Sequence, residues 1–275
     1  MDRSNIEIRF GLNLPSIRDI RTIPLRGILR LPMLPPLPDF HNADEFVGGI
    51  KDNRMFGNDI HNNCVLAAQA HYTLRLEKFE QKIQIPITDK EVVDEYFRQS
   101  HNMDTGLYLQ NAMKEWRNTG WRVGGKIYNI YAFAGIDPLD HKQVEYAVYL
   151  FNGLIFGMKV YQTDVDQFKA NKPWTLTGHN GVYRGGHGVY SNAYFNFGII
   201  DEYARPSPND ATATVCSKGL WCMTWGESQY MSWDFWDKRV DQAFAIVDDK
   251  DKWLGKKSPV DTKKLDAYLK EIGSL

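Results

Sequence analysis

The chain has 275 residues, 43% hydrophobic and 13% aromatic, enough for one large domain or two small ones. Lys and Arg number 33 against 34 Asp and Glu, and no basic run is interleaved with aromatic residues, so we expect no nucleic-acid partner. No apolar run is long enough for a membrane helix, and residues 1–5 lack an apolar signal core. We therefore expect no membrane partner, no signal peptide, and a location in the cytoplasm or packaged in a phage or other particle.

Residues 1–45 are predicted to form an extended, proline-rich arm. Ile6–Phe10 alternates as a strand does, and the prolines between positions 15 and 38 exclude a regular helix or a central strand. The arm is too apolar for a solvated tail. We expect it to lie along its own domain or along a neighbouring subunit, without taking part in catalysis. The second arrangement would make residues 1–45 the route to a homo-oligomer or a particle.

Residues 46–255 are predicted to form the main domain, and residues 256–275 a C-terminal helix. Helices are predicted over 62–80, from the capping box at Thr88 onward, over 105–119, over 143–152 and over 233–238. Strands are predicted over 128–134, 154–161, 187–194, 197–200, 220–225 and 242–247, with loops at 162–186 and 202–219. Most helices precede most strands, which indicates an α+β fold with a helical N-terminal half packed on an antiparallel sheet from the C-terminal half.

A candidate nucleophile, Cys64, lies where an Asn-rich loop becomes a helix. Asn62 or Asn63 is a suitable N-cap, which places Cys64 in the first turn. There the free N–H groups and the helix dipole favour a thiolate, so we expect a thiol pKa below its usual value. Asn58, six residues upstream, offers an amide donor for an oxyanion. The competing interpretation is an inert core cysteine, the commoner fate of a free Cys.

A candidate base, His187, begins a strand directly after Gly185 and Gly186. A partly exposed imidazole at a strand mouth suits a general base, although a structural histidine is the commoner outcome. The next long strand ends in Met223-Thr224-Trp225-Gly226. An orienting group for the imidazole is expected on that strand.

The remaining cysteines, Cys216 and Cys222, give no disulfide framework. They could pair across a short loop, but a reducing compartment is the simpler account of three cysteines. Together with His61, Cys64 and His71 they match no zinc spacing, so we expect no metal and no cofactor.

Taken in chain order, these motifs resemble the papain-like cysteine peptidases. The similarity is greatest to the bacteriocin-processing branch and to a group of largely uncharacterised bacterial and phage proteins. It covers about residues 50–255, and the motifs that carry it are Gly57-Asn58-Asp59 with Asn63-Cys64, Gly185-Gly186-His187, Thr224-Trp225-Gly226 and Phe235-Trp236. The resemblance implies Cys64 as nucleophile, His187 as base, Asn58 as oxyanion donor, and Gly186 and Trp225 as substrate-binding residues.

The chain departs from that family at two positions. Asn58 stands where papain-like enzymes have Gln, one methylene longer. The orienting Asn or Asp is replaced by Met223 or Thr224, depending on a one-residue shift in alignment, and Thr224 is the one that accepts a hydrogen bond. Asp201 is a weaker alternative orienter, at the start of the loop.

Two functions follow from these motifs. The first is a cysteine-dependent amide hydrolase acting on a peptide or a peptidoglycan-type cross-link. The alternative is a catalytically degenerate papain-like protein that serves as a structural or binding component of a phage particle or other oligomeric assembly.

Overall fold

The computed structural model describes residues 2–14, 19, 21–46, 50, 54–196 and 218–273. Its helices are α1 (Leu25–Ile28), α2 (Ala43–Phe46), α3 (Cys64–Gln81), α4 (Asp89–Gln99), α5 (Leu109–Asn118), α6 (His141–Phe151), α7 (Gln162–Lys169), α8 (Trp233–Arg239) and α9 (Thr262–Gly273), with 3-10 turns at Leu31–Met33 and Lys250–Trp253. Its strands are β1 (Phe40–Asn42), β2 (Trp121–Val123), β3 (Lys126–Tyr128), β4 (Ala132–Ile136), β5 (Leu154–Tyr161), β6 (Tyr183–Phe195), β7 (Gly219–Thr224), β8 (Glu227–Ser232) and β9 (Val240–Val247).

The main sheet is seven-stranded and antiparallel, in the order β4-β9-β5-β6-β7-β8, with β1 pairing the far end of β6. β2 and β3 form a separate hairpin. The combination of helices and an antiparallel sheet confirms the predicted α+β class, although β1 and β4 of the main sheet come from the first half of the chain.

Both faces of the main sheet are covered. Because successive strand residues point to opposite faces, Ile155 and Phe156 on β5 belong to two different buried clusters. The first face packs against α3, α4 and α5, and the second against α6 and α8. The long central strand β6 contacts α3 directly, and this packing presents the start of α3 to the start of β6.

Local capping signals mark the starts of α4, α6 and α8. The capping box at α4 is present, because Thr88 accepts from the backbone N–H of Glu91 while the Glu91 carboxylate accepts from that of Thr88. Ser232 caps α8 by accepting from the backbone N–H of Phe235, and Asp140 caps α6 by accepting from that of Gln143. The predicted strands over 154–161, 187–194, 220–225 and 242–247 are confirmed within a few residues.

Several element predictions were wrong. The predicted loop over 162–186 contains α7, whose Val165 and Phe168 are buried at helical spacing. β8 was missed, and it exists because Trp225 and Gly226 take φ values of 45° and 74° in a tight hairpin turn between Thr224 and Glu227. The strand over 128–134 is divided between β3 and β4, and α5 starts at Leu109. The strand over 197–200 and most of the 202–219 loop lie outside the described residues.

The arm packs on the rest of the chain where it is described. Ile23, Leu25 and Ile28 are buried, and α1 contacts β4 and α9. Ile6–Phe10 forms no strand, although its side chains do alternate between half-buried and exposed. Among the described residues, none of the helices has both the length and the apolar character needed to cross a bilayer.

Candidate active site

The sulfur of Cys64 lies at the first turn of α3, directly after a tight loop that begins at Gly57. That loop is closed by hydrogen bonds from the backbone N–H groups of Ile60 and His61 to the carbonyl of Gly57. The Cys64 Sγ atom is almost fully buried and accepts hydrogen bonds from two backbone N–H groups, those of Gly11 and Gly188, each at 3.2 Å. The structure therefore sets the helix tip against β6 one residue beyond His187.

The imidazole of His187 is held from one side by the next strand. Its Nε2 atom lies 2.7 Å from the Thr224 hydroxyl oxygen, whereas its Nδ1 atom makes no hydrogen bond to any described residue. Of the two alternatives for the orienting position, Thr224 contacts the imidazole and Met223 is buried in the cluster on the α3 face. This arrangement gives the ring one engaged nitrogen and one nitrogen with its lone pair or proton unused.

An indole ring covers the imidazole. Trp225 stacks on His187 with ring centroids 4.3 Å apart and planes 18° apart, and Phe10 lies edge-on to both rings. Trp225 has φ of 45°, a left-handed conformation that a bulky residue rarely adopts. The hairpin turn thus holds the indole over the ring at a cost in backbone strain.

Burial dominates the titration of both groups. It raises the pKa of the Cys64 thiol to about 11, despite the opposing effect of backbone N–H donors from Gly188, Gly11 and Val65. It lowers the pKa of His187 to about 3. The expectation of a lowered thiol pKa was therefore wrong for this arrangement, because the desolvation of a fully buried sulfur outweighs the helix tip. Both groups are neutral at pH 7.

Asn58 lies in the loop before Cys64 and is 2% exposed. Its side-chain nitrogen donates to the carbonyl oxygen of His61 at 3.1 Å, which ties the loop across its own turn. That bond uses one of the two N–H groups of the amide. The structure thus gives Asn58 a contact within the loop, and its service as an oxyanion donor stays a prediction.

The chain's own arm lies directly against the sulfur and is bound there through its backbone. Besides the bond from Gly11 to Cys64, the N–H of Leu12 donates to Gly186 at 3.1 Å. The N–H of Leu107 donates to Gly11 at 2.8 Å, and the N–H of Asn13 donates to Leu107 at 2.9 Å. The arm is therefore bound through its backbone between two walls, parallel to Leu107 and antiparallel to Gly186.

A buried arginine anchors the start of the arm. The Arg3 guanidinium donates to the Gln229 side chain and to the Ser228 carbonyl, both at 2.8 Å, and lies 3.7 Å from the Glu227 carboxylate. It also stacks over the ring of Phe168. Arg3 is 6% exposed, so this end of the arm is fixed on β8.

Sequence reasoning gave the arm no part in the site and so missed these contacts. One signal was present, because Gly11 stands among polar residues at the alternate positions of the run from Ile6 to Leu14, and a Cβ there would overlap the carbonyl oxygen of Asn62. Both residues predicted to bind substrate, Gly186 and Trp225, contact the arm, the latter by donating from its indole N–H to Arg9 at 3.4 Å.

Of the other two cysteines, the structure describes only Cys222. Cys222 is free and buried on β7, where burial raises its pKa above the usual value, and Cys216 lies outside the described residues. Within the described part of the chain, no group of three or more His, Cys, Asp or Glu side chains is arranged to hold a metal ion.

No protein-family model matches the chain, and no curated protein sequence does. Its backbone is similar to that of xylellain, a cysteine protease from Xylella fastidiosa, with a TM-score of 0.63, 14% identity, and coverage of 88% of this chain and 96% of that one. It is also similar to procathepsin B from Trypanosoma congolense, with a TM-score of 0.55, 10% identity, and coverage of 90% and 89%. The cysteine protease and lectin-like domains of Cwp84 from Clostridium difficile match with a TM-score of 0.58, 11% identity, and coverage of 86% and 55%.

These neighbours define the class of fold. The mixed architecture of helices and antiparallel sheet is that of the papain-like cysteine proteases. At identities of 10–14% the likeness is one of fold alone.

Proposed function

We propose that the chain is a cysteine-dependent amide hydrolase whose cleft is closed by its own N-terminal arm. One observation carries the proposal: the Cys64 sulfur, at a helix tip, accepts a hydrogen bond from the residue that directly follows His187. The thiol therefore lies against the strand that carries the imidazole, and a thiol and an imidazole are the parts of a nucleophile–base pair. The fold of cysteine proteases supports the same assignment.

The proposed chemistry uses four residues. With Nε2 donating to Thr224, the Nδ1 atom of His187 accepts the thiol proton as the sulfur attacks the substrate carbonyl. The oxyanion then forms next to the backbone N–H of Cys64 and the amide of Asn58. The imidazolium returns the proton to the leaving amine, and water hydrolyses the resulting thioester.

The arm indicates which substrates fit the cleft. Four backbone groups of Gly11, Leu12 and Asn13 are hydrogen-bonded to its walls or to the sulfur, so the cleft binds extended polypeptide. The arm presents an N–H group to the sulfur, not a carbonyl carbon, and so it lies in the cleft without being attacked. We propose a peptide substrate, with a peptidoglycan-type cross-link as the narrower alternative.

The test is selective alkylation of Cys64 by iodoacetamide, followed by mass spectrometry, together with cleavage of fluorescein-labelled casein. Arg3→Ala, which removes the buried anchor of the arm, serves as the arm-released variant. In the wild-type chain and in this variant we expect His187→Ala to slow alkylation of Cys64 at least tenfold, and in the arm-released variant we expect it to abolish cleavage. Cys64→Ser is the control for cleavage. Alkylation of Cys64 that is independent of His187, with no cleavage by the arm-released variant, would overturn the proposal.

A second candidate function is a non-hydrolytic binding component of an assembly. Two observations favour it: a threonine replaces the orienting carboxamide of papain-like enzymes, and the chain's own arm lies directly against the sulfur. Kinship with the bacteriocin-processing branch and an origin in a phage or other particle remain predictions from the sequence motifs.

A further inference from the structure

One carboxylate outside the Cys–His pair ties together the two segments that border the sulfur. Asp104 lies in the loop between α4 and α5, and Asn62 lies two residues before Cys64. The Asp104 carboxylate accepts a hydrogen bond from the backbone N–H of Asn62 at 2.8 Å. The side-chain N–H of Asn62 in turn donates to the Asp104 carbonyl at 2.9 Å. The Cys64 loop and the 104–107 segment are therefore joined twice.

A buried phenol extends this link to the wall of the cleft. The Tyr96 hydroxyl donates to the Asp104 carboxylate at 2.8 Å and accepts from the backbone N–H of Gly106 at 2.9 Å. Leu107, the next residue, forms the wall that pairs with the backbone of the arm. A continuous set of hydrogen bonds thus runs from the loop before Cys64 to the 104–107 segment, which binds the backbone of the arm.

The fit between these segments is tight. A Cβ on Gly106 would overlap the Gly11 carbonyl oxygen, just as a Cβ on Gly11 would overlap that of Asn62. The spacing between the Asn62 loop and the Leu107 wall therefore fixes where a bound backbone lies relative to the sulfur. A shift of either segment changes the register at which a carbonyl meets Cys64.

The charge state suits this task. Asp104 is an exposed residue, and the partial desolvation of its carboxyl opposes ionisation, but the Asn62 N–H, the Tyr96 hydroxyl and the nearby His61 hold the pKa of that carboxyl below the usual value. Burial raises the pKa of Tyr96 above its usual value, so its hydroxyl stays a donor at neutral pH. Hydrogen bonds to a charged acceptor are stronger than those to a neutral acceptor, so the Asp104 carboxylate holds the Asn62 loop and the 104–107 segment together.

We infer that Asp104, acting through Tyr96 and Asn62, is a positioning residue that sets the distance between the nucleophile loop and the Leu107 wall of the cleft. Asp104 acts through other residues and is not itself catalytic. Its role in turnover rests on the proposed function, whereas its role in setting the cleft does not.

The test uses the full-length chain, with the bound arm as reporter. Deuterium exchange is followed in peptides covering residues 9–14 and 104–109, and alkylation of Cys64 by iodoacetamide is measured in parallel. For Asp104→Ala we expect at least about tenfold faster exchange in both peptides and about tenfold faster alkylation, as expected for the loss of hydrogen bonds to a charged group. Tyr96→Phe should accelerate exchange mainly in 104–109. Asp104→Asn, which keeps an acceptor for the Asn62 N–H, should restore most of the protection.

The matched control is Asp94→Ala, which removes an exposed carboxylate on α4 that pairs with Lys90. It should leave both peptides and the alkylation rate at wild-type values. Faster exchange spread evenly over α3, α4 and α5 after Asp104→Ala, with no rescue by Asp104→Asn, would show a merely structural role and overturn the inference. The exchange result does not depend on catalysis. Failure of the proposed hydrolase activity is recognised separately, by a rate of Cys64 alkylation that His187→Ala leaves unchanged.

Discussion

The backbone N–H of Gly11 donates to the sulfur of Cys64 at 3.2 Å, although the two residues are 53 positions apart. In the proposed hydrolase, this contact places a segment of the arm where a substrate would lie. The arm also adds to the burial of the thiol, and burial raises the thiol pKa.

Arg3→Ala should release the arm and expose the thiol. The variant loses two hydrogen bonds from a buried guanidinium and its ion pair with Glu227. We expect alkylation of Cys64 by iodoacetamide to accelerate about tenfold or more, since losing charged hydrogen bonds of this kind costs at least about 1.4 kcal/mol. The apparent pKa of the thiol should fall, because solvent removes the desolvation while the N–H donors of the helix tip remain. Glu7→Ala, at an exposed arm position, is the control, and equal alkylation rates in all three proteins would contradict the prediction.

Thr224→Val should remove the group that orients the His187 imidazole without changing the shape of its surroundings. Valine keeps the volume of threonine but removes the hydroxyl that lies 2.7 Å from Nε2 of His187. In an arm-released background we expect alkylation of Cys64 at pH 7 to slow about tenfold, the usual effect of losing one orienting hydrogen bond. Thr224→Ser should retain the rate. A serine variant as slow as the valine variant would argue against an orienting role.

Asn58→Ala separates thiol activation from oxyanion stabilisation. Alkylation by iodoacetamide forms no oxyanion, whereas hydrolysis of an amide does. In an arm-released background we expect cleavage of labelled casein to fall by about 10²-fold while alkylation of Cys64 stays within twofold. The alternative, that Asn58 only ties the loop to His61, predicts that both rates fall together.

Acid should destabilise the fold through buried neutral histidines. Burial lowers the pKa of His187 and of His71 to about 3 each, against about 6.5 in an unfolded chain. Between these pH values the unfolded chain binds protons that the folded protein does not, so the free energy of unfolding falls as the pH falls. Each histidine should contribute about 1 kcal/mol of loss between pH 6.5 and 5.5. Urea unfolding of the wild type and of His71→Gln should show a smaller loss in the variant, and identical pH dependence would disprove the assignment.

Local sequence signals predicted the elements well where a few neighbouring residues decide the structure. Only a few consecutive residues decide the Thr88 capping box, the cap at Ser232 and the apolar run of β5. Helix α7 escaped prediction because only Val165 and Phe168 mark its buried face. β8 escaped because Trp225 is an uncommon residue in a left-handed hairpin turn.

The sequence was enough to predict which residues form the site, but not how deeply the thiol is buried or in which direction its pKa shifts. The motifs singled out Cys64, His187 and Thr224, and the structure brings Thr224 to the imidazole and the strand of His187 to the sulfur. Burial of the thiol by Gly11 depends on a contact between distant segments, and no local pattern reports it. The direction of the pKa shift follows from that burial, so the sequence alone favoured the wrong sign.

The position of Gly11 in the chain has a consequence for biosynthesis. A ribosome makes the arm before Cys64 and Leu107, and only much later Gly186, whose carbonyl accepts the hydrogen bond from Leu12. Contacts of such large sequence separation close slowly and late in folding. We therefore expect the nascent arm to wait until β6 has emerged, so that the pairing of β6 with its neighbours and the covering of the thiol belong to the same final step of folding.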